Sequence, residues 1–340
     1  MTPVGSRVLD MASDAAKEML ISANSLRKMY GPHLALDDIN LEIPHGAIGI
    51  LGPNGAGKST FFKCLLGLIK TTSGDGTVLG YDIRTEGHLI RSKIGYMPEY
   101  DSLDPGLNAI DQVRYSGELL GMNPDAATQR AHEVLQYVGL KDQRYRKIET
   151  FSTGMKQAAK LACALVHDPE ILICDEPTNG LDQRAREFML QTLRKTVQEG
   201  GRSVLMSSHV MDDVESVCDR IVMIHKGKIV VHRSIDDMVK QVEKEIEISV
   251  WGGASKMEKE LTSRGLSVRR MGRNMRVTKI DENIYSDILS SAAKAKVQVR
   301  KMSEYEPDLE DIFLLIMDKL GEQVRETDEL MTSEYMGVDR

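Results

Sequence analysis

The sequence predicts an α/β fold built around buried parallel strands, followed by a smaller α+β domain. Three observations carry that expectation. Residues 47–51, 170–174 and 202–206 are compact β-rich runs that alternate with helical patterns, as in a sheet joined by crossover helices. Residues 52–60, Gly52-Pro53-Asn54-Gly55-Ala56-Gly57-Lys58-Ser59-Thr60, put a glycine-rich turn between the first run and a helical segment at 61–68. Beyond Lys240 the apolar spacing changes to two, the mark of half-exposed strands.

In chain order, residues 1–20 read as a short polar leader and residues 21–240 as the α/β domain. Within it Ala131, Val134, Leu135 and Val138 fall at i, i+3, i+4, i+7, and Ala185, Phe188, Met189 and Leu193 at i, i+3, i+4, i+8, which makes two amphipathic helices lying against a sheet. The second domain is expected at 241–320. Its strands are marked by Ile246, Ile248 and Val250, by Leu266 and Val268, by Met275, Val277 and Ile280, and by Val297 and Val299, with helices at 255–263 and 283–294. That order is βαββαβ, the ferredoxin-like arrangement. A last helix carries Leu309, Ile312, Phe313 and Ile316, and residues 321–340 read as an acidic tail, with six acids against two bases.

Composition narrows the class. The chain's 340 residues, 41% of them hydrophobic, suit about two domains at roughly 150 residues each. A charged fraction of 28% and a mean hydropathy of -0.28 fit neither a disordered nor an integral-membrane chain. No run of 18 apolar residues occurs and no basic-then-apolar leader opens the sequence, so the chain is expected to be neither membrane-spanning nor secreted. Cys64, Cys163, Cys174 and Cys218 lie far apart, which points to free thiols in a reducing cytosol. With 44 basic and 51 acidic residues the net charge is -7, and no nucleic-acid partner is expected.

The chemistry is concentrated in two places. Residues 52–60 satisfy G-x-x-x-x-G-K-[ST] in a strand–loop–helix context: glycines turn backbone N–H groups inward around phosphates, and the following helix adds its positive end. Lys58 is placed for the β- and γ-phosphates and Ser59 for Mg²⁺. Further on, the apolar stretch Ile171-Leu172-Ile173-Cys174 runs into Asp175-Glu176. A carboxylate at a strand end can hold Mg²⁺, and its neighbour can orient or deprotonate an attacking water. A strand ending in two acids is common by itself; beside a phosphate loop it points to hydrolysis.

From about Leu26 to Val231 these and further motifs stand in the order of the ATP-binding cassette (ABC) ATPases, which the chain resembles. Phe151-Ser152-Thr153-Gly154-Met155 looks like the family's signature, Asn179-Gly180-Leu181-Asp182 like its D-loop, and Ser207-Ser208-His209 like its switch histidine. Lys28-Met29-Tyr30-Gly31 looks like the adenine-stacking loop and Gly95-Tyr96-Met97-Pro98-Glu99 like the Q-loop. The resemblance implies a P-loop NTPase fold of the cassette type, a mixed sheet core with a helical signature subdomain. It also implies an ATPase using ATP and Mg²⁺, with Lys58, Glu176 and His209 catalytic. Nucleotide contacts would come from Tyr30, residues 52–60, Glu99, Ser152, Gly154 and Asp182, and metal contacts from Ser59, Glu99 and Asp175.

Two motifs depart from the family's commonest pattern. The signature has Thr153 and Met155 where glycine and glutamine are usual, and the Q-loop has Glu99 where glutamine is usual. The serine and second glycine of the signature remain, so activity is expected to survive. The variants resemble those of the exporter-type subgroup whose membrane subunits are separate chains, as does the segment 306–313. The implied protein is the cytoplasmic ATPase subunit of an exporter, held at the inner face of the cell membrane by integral-membrane permease subunits. One phosphate loop and one signature per chain imply head-to-tail pairing with a second cassette, most simply a homodimer. The alternatives are a soluble non-transport ABC ATPase, which usually carries a second cassette or long coiled coils, and a nucleotide-sensing cassette, against which Glu176 and His209 together argue.

Overall fold

Strand β3 (Ala47–Leu51) is buried along its whole length, which an apolar five-residue run achieves only with a layer on each side. It lies inside a six-stranded sheet of order β10-β9-β3-β8-β7-β6, formed with β6 (Ile94–Met97), β7 (Ile171–Asp175), β8 (Ser203–Ser208), β9 (Arg220–His225) and β10 (Lys228–Ser234). Five of the six strands are parallel and β10 runs antiparallel at one edge. The computed structural model describes residues 19–241, 245–278, 283–305 and 311–312.

A second, antiparallel sheet of order β2-β1-β4-β5 comprises β1 (Met19–Tyr30), β2 (His33–Pro44), β4 (Ser73–Val78) and β5 (Tyr81–Asp82). Helix α1 (Lys58–Leu65) buries Phe61, Phe62 and Leu65 in one core with Ile21, Leu26, Leu36 and Ile39 from that sheet and Ile48 and Ile50 from the parallel one. Fully burying side chains of this size contributes about 1.5–3 kcal/mol each. Helix α2 (Gly87–Lys93) leads into β6.

A helical segment follows β6: α3 (Ala109–Leu119), α4 (Pro124–Tyr137) and α5 (Thr153–Leu165). Each starts on a side chain that accepts an orphan backbone N–H: Asn108 from Asp111, Asn123 from Asp125 with Pro124 in the first turn, and Ser152 from Met155. Helix α6 (Gln183–Gln198), capped by Asp182, and α7 (Met211–Val217) complete the first unit, which ends at Ile235.

The chain divides into two units, Met1–Ile235 and Asp236–Arg340, five residues before the boundary that the change of period suggests. Helix α8 (Ile235–Gln241) leads into the second unit, which contains β11 (Glu245–Trp251), α9 (Ala254–Ser263), β12 (Val268–Met271), β13 (Asn274–Thr278), α10 (Ile284–Ala295) and β14 (Gln298–Tyr305). This is the βαββαβ order, closed as an antiparallel sheet β12-β13-β11-β14 with its own core of Ile246, Ile248, Met257, Leu261, Met275 and Ile288. Leu266 falls just outside β12, two residues before its start. Of the terminal helix around Leu309, only residues 311–312 are described, and the expected acidic tail, Ile280, and all of the leader but Met19 and Leu20 lie outside the described residues. Met19 and Leu20 begin β1 instead.

All four cysteines are free thiols; Cys64, Cys174 and Cys218 are buried, and burial pushes the Cys64 thiol up to about 11. Among the described residues no helix is long and apolar enough to cross a membrane.

Candidate active site

Parallel strands bring their C-terminal ends to one edge of the sheet, where open α/β folds bind ligands. Here Leu51 pairs with Ser208, Asp175 with Ser207 and Met97 with Cys174. The residues just beyond, Gly52, Glu176, His209 and Pro98, therefore share that edge.

At two of its glycines the loop after β3 has room for backbone alone. Gly52 has φ +155, and a Cβ there would stand 2.2 Å from the Ile224 carbonyl oxygen; Gly57, at φ +113, would put one 2.7 Å from that of Ala35. Gly57 then starts α1, which has no acid in its first turn, so no side chain of that turn offsets the positive end of the helix. Lys58 reaches back along the loop: its Nζ donates to the Gly52 carbonyl at 2.7 Å and lies 3.3 Å from Glu176 Oε1, both side chains being almost wholly buried. A cleft of about 420 Å³ opens over this loop, lined by residues 53–60, Tyr30, His33, Ala35, Glu99 and Glu176.

Glu176 faces the loop from β7 at φ +50, a left-handed conformation that glutamate adopts only where its surroundings hold it. Three contacts do so. Its backbone N–H donates to Ser207 Oγ at 2.9 Å, its Oε2 lies 2.8 Å from His209 Nδ1, and its Oε1 faces Lys58. The Ser207 hydroxyl in turn donates to Asp175 Oδ1 at 2.7 Å, so one buried serine ties both carboxylates to β8. Below them the buried Asp213 of α7 accepts from Thr178 Oγ1 and from Arg186 Nε of α6, each at 2.5 Å. Burial, with the Asp175 carboxylate nearby, pushes the Tyr96 phenol of β6 well above its ordinary range.

Tyr30 stands at the tip of the β1–β2 hairpin, 46% exposed, with Lys28 Nζ 4.8 Å from its ring centroid. The two-residue turn Gly31-Pro32 sets it there, with the Lys28 ammonium over one face of the ring.

The loop after β6 belongs to the helical segment as much as to the sheet. Lys160, on the buried face of α5, directs its Nζ at the carbonyls of Pro98, Glu99 and Tyr100 at 2.8, 3.0 and 3.3 Å. Burial lowers its pKa from the ordinary lysine value. One turn earlier, Lys156 pairs with Asp101 at 2.8 Å and holds that carboxyl below its usual range.

The structure thus brings together Tyr30, residues 53–60, Glu99 and Glu176 around one cleft, with Gly52 and His209 bonded to its walls and Asp175 behind Glu176. Ser152, Gly154 and Asp182 line a different cleft, between α4, α5 and α6. The donors Ser59 and Asp175 are hard oxygens suited to Mg²⁺, and among the described residues no three His, Cys, Asp or Glu side chains come together as a self-sufficient metal cage. Thr178, Asp213 and Lys160 belong to no motif in the sequence, and Ser207 stands in the switch-histidine motif without a role of its own. The one available signal was the polar pair Gln157 and Lys160 in the buried stripe of α5.

Comparison with known proteins supplies the family. The ABC transporter family profile matches residues 36–179, which include the phosphate loop, the signature and the Asp175-Glu176 pair. The linearmycin resistance ATP-binding protein LnrL of Bacillus subtilis is 34% identical over 314 residues, covering 87% of this chain and 97% of that protein. The chain belongs to the ABC transporter family. It is an ATP-binding and ATP-hydrolysing cassette of that family. The daunorubicin/doxorubicin resistance ATP-binding protein DrrA of Streptomyces peucetius is 30% identical, covering 87% of this chain and 92% of that protein. Among solved structures, the cassette MJ0796, a dimer in a post-hydrolysis state bound to ADP and Pi, superposes with a TM-score of 0.59 at 26% identity, over 63% of this chain and 98% of that one. His209 and Asp182 lie beyond the residues matched to the family profile.

Proposed function

We propose that this ABC cassette powers an exporter whose membrane-spanning subunits are separate chains, and that it works as a cassette pair at the cytoplasmic face of the membrane. Support comes from relatives that match nearly their whole length to this chain and are named for resistance to linearmycin, daunorubicin and doxorubicin. A dimeric cassette among the similar structures favours pairing. So does the separation of Ser152 and Gly154 from the phosphate cleft, since in a head-to-tail pair they would close over the partner's nucleotide.

Each residue's role follows from its place. Tyr30 offers its exposed ring to the adenine, a stacking contact of about 1–3 kcal/mol by analogy with base–aromatic pairs. Backbone N–H groups of residues 52–60 and the start of α1 hold the phosphates, and Lys58 takes the β- and γ-oxygens. Ser59 and Asp175 would hold Mg²⁺, which when bound draws charge from the γ-phosphate; Glu99 enters the same cleft as a further acid. Glu176 accepts the proton of the attacking water, and His209, hydrogen-bonded to the same carboxylate, orients it toward the γ-phosphate. Asp182 caps α6 and carries the D-loop toward the partner cassette.

The observation that carries this reading is the Glu176 carboxylate, held between Lys58 and His209 on the rim of the phosphate cleft. Its test is Glu176→Gln, which keeps the shape and removes the base. ATP turnover is expected to fall by about 100-fold or more, within the span of general-base contributions, while ATP stays bound and the protein elutes as a dimer. Normal turnover in this variant would remove Glu176 as the base.

A further inference from the structure

The second unit has a charge asymmetry that ATP chemistry does not use. Between residues 245 and 305 the sequence holds twelve basic and eight acidic residues, in a chain whose net charge is -7. Strand register sorts them. Glu245 opens β11 opposite Thr278 and Tyr305, whereas at the other end Trp251 pairs with Gln298 and the Val250 N–H donates to the Arg273 carbonyl. Gly252 and Gly253, both at φ +73, then turn the chain into α9, and a Cβ on Gly253 would stand 3.1 Å from Val297. The Trp251 turn, the Arg273 turn, the start of α9, the end of α10 and the start of β14 therefore meet at one end of the unit.

That end is basic around an exposed indole. Lys256, Lys259, Lys294 and Lys296 border a cleft of about 560 Å³ against the two glycines. Arg273 and Arg300 place their guanidinium carbons 5.3 and 5.8 Å from the Trp251 ring centroid. The acid in this cleft, Glu260, is already engaged by Lys294 Nζ at 2.6 Å. Trp251 is 57% exposed.

We infer that this end of the second unit docks on an anionic phospholipid surface. An indole prefers the headgroup layer, where its ring is half in hydrocarbon and its N–H meets polar groups, to either bulk water or an apolar core. Lysines and arginines grouped around it are drawn to anionic headgroups over a range of about one Debye length, so attraction acts where the surfaces touch and is not cancelled by net negative charge elsewhere on the chain. Sites for single-stranded nucleic acid line several aromatics along a groove; this end presents one, at the tip of a strand. None of these side chains lines the ATP cleft, so the inference stands or falls apart from the residue roles assigned there.

Trp251 is the chain's one tryptophan, so the full-length protein reports on this end by its own emission. Titrated at low salt with phosphatidylglycerol vesicles, it is expected to shift to the blue and to co-sediment, with both effects lost at high salt and absent with phosphatidylcholine. Arg273→Glu combined with Arg300→Glu should weaken vesicle binding by about tenfold or more, two charges having been reversed at a surface where each basic residue counts. ATP turnover without vesicles and the thermal melt should be unchanged in that variant. Equal binding to phosphatidylcholine, or undiminished binding by the double variant, overturns the inference. So does an equal emission shift with inorganic phosphate or a short DNA duplex at the same salt, which would mark a small-anion or nucleic-acid site.

Discussion

Ser207 shows how much of the site hangs on one hydroxyl. It donates to Asp175 Oδ1 and accepts from the Glu176 N–H, at 2.7 and 2.9 Å, and it is fully buried. The second bond holds Glu176 in a left-handed conformation that costs about 1–3 kcal/mol when unsupported. Ser207→Ala leaves a buried N–H without its acceptor, and a loss of about 1–3 kcal/mol in stability is expected. Because Glu176 would no longer be aimed, kcat should fall by about tenfold or more with a smaller change in the KM for ATP, a misplacement effect on the chemical step. Steady-state kinetics and a denaturant titration check both; wild-type kcat would show that the hydroxyl does not aim the base. The motifs and the family resemblance give Lys58, Glu176 and His209 as candidates, and Glu176 stands 3.3 Å from Lys58 and 2.8 Å from His209. Ser207 was not legible as their support, because a separation of 31 positions from Glu176 implies no contact until β7 and β8 are paired in register.

At the level of elements, α5 and the loop after β6 are joined by a device that spacing could not reveal. Sequence periodicity gives helices and strands, since burial of one face is a local pattern, but the target of a buried lysine depends on what lies across the interface. Lys160 neutralises three converging carbonyl dipoles at residues 98–100, and Lys156 adds an ion pair to Asp101. The loop carrying Glu99 is therefore fastened to the helix whose N-terminus carries Ser152 and Gly154. Lys160→Met removes the donor and leaves those carbonyls short of a partner, at about 1–3 kcal/mol of stability. If the lysine acts on turnover by holding Glu99 in place, its effect on kcat should be largely absent in a Glu99→Ala background, while its effect on thermal stability persists there. A double-mutant cycle in kcat measures this. Independent, multiplying effects on kcat would leave Lys160 a purely structural residue.

For the whole molecule, two separate apolar clusters decide the expectation. One unites β1, β2, β3 and α1, and the other lies wholly within β11–β14 with α9 and α10. A parallel sheet covered on both faces and an open antiparallel sheet demand different apolar patterns, and the period changes near Lys240 while the two units divide after Ile235. The phosphate loop, Glu176 and His209 all belong to the first unit, and a unit with its own core can fold alone. A chain ended after Gln241 should therefore stay monodisperse, melt cooperatively and hydrolyse ATP at a rate close to that of the full chain. It should lose vesicle binding altogether, since Trp251 and every basic residue around it are gone. Light scattering, a thermal melt, phosphate release and vesicle sedimentation on the same preparation separate the outcomes. An aggregated or inactive product would mean that the second unit completes the ATPase fold, and retained vesicle binding would place the lipid-facing surface in the first unit.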